Sequence, residues 1–427
     1  MITSSKILQI ILVFIVSGGL MAQPGPSASL ADLVTELLAH NPQLQAARQK
    51  TAAAKTVVRQ VSAWEAPQVG IEFYQTPIQS FPDPLKNGME TDYFIQQMFP
   101  FPGKLSAMEQ AARQNAGMID QEYRALERKM IRQLKNSFYE LYLVQQKISI
   151  NAENQELMKQ FIQIALKQYE GGMGNQSDIL RAQTEYSVLL NEQIDLDQQQ
   201  RIMSAMMNTL INHPVDELHG TISEIKFDSL TWTLEQLQIL ALRNRPELQG
   251  MNYNIAMNEA ELTASKREYF PDLMAKVMYK NMSDTKDDFW SVMLGMNFPL
   301  TFWSGSRFTA KVEENKLKVI QAENEFAGMK NMVVNEIYNA LIRMQASYNS
   351  IKLYKSTSIP QAEQTLQSML TGYQTGKTEF LMVIDSYRMV LMARLDYQMS
   401  LMNYLAAQAQ LEEAVGLDIT DIANQIH

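Results

Sequence analysis

Few residues in this chain are placed to do covalent or metal chemistry. Cysteine is absent, so no disulfide, thiolate metal site or cysteine nucleophile can form. A lipid anchor on an N-terminal cysteine is excluded by the same count. His213 and His219 flank Pro214 and are the histidines nearest to a metal-binding pattern. Two imidazoles with no third ligand nearby read more readily as surface residues, and His40 and His427 carry no pattern. The 28 methionines offer soft thioethers, which could form a soft-metal ladder. Most of them, such as Met203, Met206 and Met207, fall at apolar helical spacing, which favours core filling. No Ser/His/Asp set, phosphate-binding Walker loop or paired-histidine metal motif occurs, so the chain reads as a non-enzyme without a cofactor. A net charge of −9 argues against nucleic acid as a partner.

The elements that carry these residues begin with a targeting pattern. Lys6 precedes an apolar run from Ile7 to Val16, and the small residue Ala22 precedes Gln23. This order predicts a secretory signal peptide over 1–22. The alternative is a retained anchor, although the run is short for a membrane-spanning helix. No later stretch reaches the ~20 consecutive apolar residues such a helix needs. A membrane role therefore has to use β-strands.

The chain is one plan written twice. Asn41-Pro42-Gln43-Leu44 parallels Arg245-Pro246-Glu247-Leu248, and the two prolines stand 204 residues apart. The same offset relates Ser29-Leu30 to Thr233-Leu234, Ala66-Pro67-Gln68-Val69 to Phe270-Pro271-Asp272-Leu273, Tyr169 to Tyr373, and Gly172 to Gly376. Internal repetition at one offset means a structural unit used twice.

Each copy reads in the same order. A helix over Leu30 to Trp64 is broken near Asn41-Pro42, with Ser29 as its cap and Asp32 in its first turn. Its counterpart runs from Leu234 to Tyr269, capped by Thr233. The period then changes to two. Val69, Ile71 and Phe73 alternate with Gly70, Glu72 and Tyr74, while Leu273, Ala275, Val277 and Tyr279 alternate with Met274, Lys276, Met278 and Lys280. Such alternation predicts strands with one apolar face. Return strands follow over about Thr91 to Phe99 and Phe289 to Phe298, after loops at Thr76 to Gly88 and Ser283 to Asp288. Strands of ~10 residues suit a tilted membrane barrel. Phe73, Tyr74, Tyr279, Phe289 and Trp290 fall towards one rim, and Trp64, Phe99, Phe101, Phe302 and Trp303 towards the other. Two aromatic girdles fit a membrane barrel; the alternative is ordinary strand aromatics in a soluble core.

Gly103 and Gly305 lie where strand gives way to helix. From Lys104 to Tyr169 there is no proline, and Gly117 is the one glycine. A helix of that length is ~100 Å long at 1.5 Å per residue. Leu134, Phe138, Leu141 and Ile148, and later Ile179, Ala182, Tyr186, Leu189 and Leu196, follow steps of three, four or seven. This spacing predicts coiled-coil packing. The second copy runs from Phe308 to Leu370, turns at Gly372 to Gly376 and returns over Phe380 to Val415, with Pro360 expected to kink the ascending helix.

A four-strand sheet with two open edges cannot sit in lipid, because unpaired backbone amides there cost several kcal/mol each. Closure with copies of the same chain in cyclic symmetry is the economical solution. This order of elements, with Asn41-Pro42-Gln43-Leu44, Arg245-Pro246-Glu247-Leu248, Tyr169-Glu170-Gly171-Gly172 and Tyr373-Gln374-Thr375-Gly376, resembles the TolC family of outer membrane factors. The run Gln97 to Lys104 resembles its heavy-metal-efflux branch.

The resemblance implies a mostly α fold with membrane β. A homotrimer would share a β-barrel in outer-membrane lipid and extend a long α-helical barrel through the periplasm. A periplasmic adaptor and an inner-membrane pump would be its partners. The expected division is a first repeat at 23–212, a linker at 213–232 and a second repeat at 233–427. The resemblance also selects site residues. Ser177-Asp178 falls where the family carries a hydroxyl-acidic pair, and Asp385 falls on a gate aspartate. Tyr373 matches a turn tyrosine used in closing contacts, whereas Met382 replaces an acid. Carboxylates from symmetry-related copies at one constriction raise cation occupancy; the alternative is a solvated helix-face aspartate. Gly171, Gly172, Gly174, Gly376 and Lys377 belong to the tips, where tight reversals are expected and where an adaptor would dock.

Two other readings remain open. One is a duct for type I protein secretion with the same fold. The other is a soluble periplasmic coiled-coil scaffold, which the duplicated plan disfavours.

Overall fold

In a computed structural model, residues 29–85, 88–225, 227, 232–282, 287–299, 303 and 305–426 are described. The expected signal peptide at 1–22, the girdle residue Phe302, His427 and parts of both strand loops lie outside them.

The first copy starts with α1 (Leu30–His40) and α2 (Pro42–Ser62). Ser29 Oγ accepts from the Asp32 N–H at 3.2 Å. The break between the helices is itself a cap: Asn41 Oδ1 accepts from the Gln43 and Leu44 amides at 2.9 and 3.1 Å. Pro42, at the first helical position, has no amide that needs a partner. In the second copy, α5 (Leu234–Asn244) and α6 (Pro246–Arg267) repeat the arrangement. Here Thr233 and Gln236 form a reciprocal capping box.

Strands β1 (Gln68–Tyr74) and β2 (Glu90–Phe99) form the first hairpin, and β3 (Leu273–Met282) and β4 (Asp288–Met296) the second. The four make one antiparallel sheet in sequence order, with β1 and β4 at its edges. Register sorts the side chains. Val69, Ile95, Val277 and Val292 lie in one row across all four strands, and Ile71, Tyr93, Tyr279 and Trp290 in the next but one. That face is apolar and exposed on the single chain. The other face carries Gln68, Gln96 and Lys276 in one row, then Glu72, Asp92 and Lys280. Lys280 Nζ pairs with Glu90 at 2.7 Å and with Asp92 at 3.3 Å. Phe298 falls beyond the end of β4.

Long helices follow each hairpin. α3 (Lys104–Glu170) and α4 (Gln176–Ile211) form the first pair. In the second copy α7 (Gly305–Leu353) passes through a π-helical turn at Tyr354–Ser358 into α8 (Ile359–Gln374), and α9 (Phe380–Val415) returns. The irregularity expected at Pro360 is this π-turn. Its wider hydrogen-bond ring absorbs the missing proline amide without ending the helix. A short terminal helix, α10 (Ile419–Ile426), had no counterpart in the sequence reading.

Packing places the helices side by side in the order α4, α3, α9, then α7 and α8. One core lies midway along them. Leu37, Leu134, Leu141, Ile211, Leu237, Ile337 and Leu411 are almost wholly buried there. A second lies near the tips, around Met158, Phe161, Ala182, Val383 and Tyr387. Heptad spacing thus buries or half-buries the expected seam residues, but the methionines do not follow it as a set. Met207 is buried and Met203 half-buried, but Met206 is exposed, so core filling does not account for it.

Candidate functional site between the hairpin tips

The two helical hairpins end beside each other. The α3–α4 tip turns at Gly171 to Asn175 and the α8–α9 tip at Thr375 to Glu379. Gly172 and Gly376 both have φ of +71°, a left-handed conformation that costs a residue with a side chain roughly 1–2 kcal/mol. Gly171, by contrast, has φ of −76°, so it is not a reversal residue of the kind expected. Gly174 also lacks positive φ. A Cβ there would stand 3.0 Å from Gln168 Cβ, so close packing rather than backbone conformation favours glycine. Lys377 is exposed, and its amide closes the second turn onto the Gly372 carbonyl at 2.8 Å.

Between the tips lies an open cleft of about 440 Å³ whose lining includes Ser177, Asp178, Arg181, Tyr373, Lys377 and Phe380. Tyr373 Oη donates to Asp178 Oδ2 at 3.1 Å. The same oxygen accepts from the Asn175 amide at 3.3 Å, as the first turn of α4 requires of an acidic residue there. Tyr373 is buried, its ring 5.1 Å from that of Phe380. Burial first, and then the Asp178 carboxylate, push its phenol well above the ordinary range, so it stays a protonated donor. Gln168 Nε2 donates to the Gln374 carbonyl at 2.8 Å and ties one tip to the other.

Of the residues singled out from sequence, Ser177, Asp178, Tyr373, Gly174, Gly376 and Lys377 line this one cleft. Asp385 does not. It lies in the second turn of α9, exposed, with Arg388 Nη1 at 4.0 Å. Arg388 also pairs with Glu185 of α4. Met382 is exposed on the same helix. Sequence reasoning missed Gln168 and Arg181. Their only signal was a polar side chain within one or two turns of a tip glycine, and many residues share that.

His213 and His219 are accounted for by protein partners. His213 bridges Glu36 Oε1 of α1 at 2.5 Å and Glu217 Oε2 at 3.1 Å. Burial alone would pull its pKa down; the two carboxylates more than offset that and raise it. His219 Nε2 meets Asn208 Oδ1 at 2.7 Å, and burial pulls its pKa down. Among the described residues, no group of three or more His, Cys, Asp or Glu side chains could hold a metal ion.

Comparison with known proteins agrees with this architecture. The chain is 19% identical to the cobalt-zinc-cadmium resistance protein CzcC of Cupriavidus metallidurans over 304 residues, 69% of each chain. Its fold matches that of CusC with a TM-score of 0.77 at 17% identity, covering 91% of this chain and 92% of that one. It also matches the outer membrane protein VceC of Vibrio cholerae with a TM-score of 0.76 at 16% identity, covering 92% and 97%. The outer membrane efflux protein family matches twice, at residues 33–213 and 238–417. With both copies of its duplicated plan matched, this chain belongs to the outer membrane efflux protein family and is a channel of the outer membrane with a periplasmic helical barrel.

Proposed function

We propose that three copies of this chain form a passive duct, taking solutes from a periplasmic adaptor and inner-membrane pump to the cell exterior. The observation that carries the reading is the sheet. Among the described residues its edges, β1 and β4, have no strand partner, and its apolar face, Val69, Ile71, Val277 and Val292 included, is exposed. Only closure onto other copies satisfies those edges in lipid. Threefold repetition gives a twelve-stranded barrel whose polar face, with Glu72, Asp92, Lys276 and Lys280, lines water. The same operation joins the open flank of α4 to that of α7 and α8 in the next copy. The division into repeats at 23–212 and 233–427, with a linker at 213–232, follows the same plan.

Asp178 and Tyr373 form a closing contact at the periplasmic end, with Ser177 beside them. Asp385 supplies a ring of three carboxylates to the bore. Gly171, Gly172, Gly174, Gly376 and Lys377 form the surface that meets the adaptor. Similarity to a cobalt-zinc-cadmium resistance protein supports metal cations as cargo.

Outer membranes should yield the protein as a trimer that conducts in planar bilayers. Asp178→Ala with Asp385→Ala should move the reversal potential in a salt gradient towards zero, as cation preference weakens. Recovery as a soluble monomer would end the duct reading, and an unchanged reversal potential would remove both aspartates from the gate.

A further inference from the structure

Helix α9 carries a seam that the packing of the chain leaves bare. Met382, Asp385, Met389, Met392, Asp396, Met399 and Asn403 follow one another at alternating steps of three and four, and all are exposed. The four methionines are 51%, 57%, 63% and 38% exposed. This is the spacing of a coiled-coil seam, yet among the described residues no helix fills it. Residues one position away do pack: Val383, Ile384, Ser386 and Val390 are buried.

Where the seam faces follows from its neighbours. α9 has α3 on one flank and α7 and α8 on the other. Both flanks are taken, so another copy of the chain cannot cover the seam by joining the row of helices edge to edge. Glu224, Ile225 and Phe227 lie against a different face of α9. Phe227 lies 5.5 Å from the ring of Tyr404, and with Tyr397 and Leu401 it lines a cavity of about 500 Å³. At ~100° per residue that face is roughly opposite the methionine seam. On α3 the face beside the same segment, at Tyr142 and Gln145, continues as a polar stripe through Ser149, Glu156, Gln163 and Lys167. The belt segment and polar stripe mark the outside of the tube, and the Met/Asp seam faces the bore.

Its composition suits a particular cargo. Residues three or four apart on a helix have Cβ atoms about 5–6 Å apart. Met389 and Met392 can therefore bring two thioethers to one ion, with Asp385 and Asp396 supplying negative charge on either side. Asp396 also accepts from Tyr354 Oη at 3.2 Å, which orients its carboxylate. Thioether sulfur selects soft cations over hard ones. Several weak sites in series permit conduction, where one tight site would trap the ion.

We propose that the seam from Met382 to Asn403 is a relay of thioether and carboxylate sites for soft monovalent metal cations, which makes these ions a substrate class of the duct. The proposal rests on the duct reading for the direction in which the seam faces.

Silver ion is the probe, and the chain suits it because it has no cysteine to compete. The purified trimer is dialysed against silver nitrate in chloride-free buffer, and retained silver is measured alongside the chemical shifts of carbon-13-labelled methionine methyl groups. Wild type should retain silver and shift the methyl signals of Met389, Met392 and Met399. The triple variant M389L/M392L/M399L keeps side-chain volume and should bind about tenfold more weakly. The variant M206L/M332L, at two exposed methionines on the edge helices α4 and α7, should bind as wild type does. Equal retention by the seam variant and wild type, or equal loss in both variants, overturns the relay. Potassium conductance separates the two readings. Trimers that conduct but hold silver without the seam sink the relay alone, whereas trimers that never conduct sink the duct on which its role depends.

Discussion

Asn41 and Arg245 stand at equivalent positions of the duplicated plan, 204 residues apart, and their side chains perform the same task. Asn41 Nδ2 donates to the Leu210 carbonyl at 2.8 Å, and Arg245 Nη1 donates to the Ala414 carbonyl at 3.3 Å. The two carbonyls are again 204 residues apart. In each copy the break before the proline pins the C-terminal end of the descending helix, whose last carbonyls lack helical partners. Asn41→Ala removes this bond together with the cap on α2. It should cost about 1–3 kcal/mol, measured as a lower denaturant midpoint with an unchanged slope. Arg245→Met should cost more, because Glu336 and Glu247 lose the buried cation that pairs with them.

Tyr169 and Tyr373 are also equivalent by the offset, but Tyr169 is 48% exposed and Tyr373 only 4%. The residue equivalent to Asp178 in the second copy is Met382, so only one of the two tyrosines has a carboxylate to meet. Tyr373→Phe keeps the packing against Phe380 and removes the hydroxyl. About 1 kcal/mol of closing free energy should be lost, seen in planar bilayers as more frequent open events. Tyr169→Phe should leave gating unchanged.

Gly376→Ala isolates backbone strain. Nothing lies within 4 Å of the added Cβ, and φ is +71°. The substitution should destabilise the tip by about 1 kcal/mol, with faster amide exchange confined to residues near 372–380. Exchange at the α3–α4 tip should stay as it is.

The sheet makes opposite demands on its two faces. Val292→Arg puts a charge on the lipid side of β4, where it should cost about 2–4 kcal/mol near the bilayer centre and reduce the yield of membrane-inserted trimer. Lys276→Gln, on the polar face beside Phe94, should leave that yield intact.

His213 should give stability a pH dependence. Its folded pKa lies above its value of ~6.5 in an unfolded chain, because Glu36 and Glu217 favour the charged form over the opposing effect of burial. The charged contacts are therefore fully present below ~6.5 and are lost as pH rises through the raised value. His213→Gln should flatten the fall in stability above neutral pH, followed by thermal melting from pH 6 to pH 9.

The sequence alone determined the duplicated order of helices and strands, the capping at Ser29 and Thr233, and the apolar face of the sheet. These are local matters of period, proline and hydrogen-bonding side chains, readable over a few residues. The pairing of Asp178 with Tyr373 was not legible that way. A 195-residue separation and a tip-to-tip approach bring them together. The π-turn before Pro360 was hidden as well, since a proline signals an interruption without saying how the backbone absorbs it. The methionines divided most sharply. Met207 and Met389 look alike as apolar residues at heptad spacing, yet one is buried and the other exposed. Periodicity reports which residues share a face of a helix. Only the side-by-side order of α4, α3, α9 and α7 decides whether another helix covers that face or leaves it open.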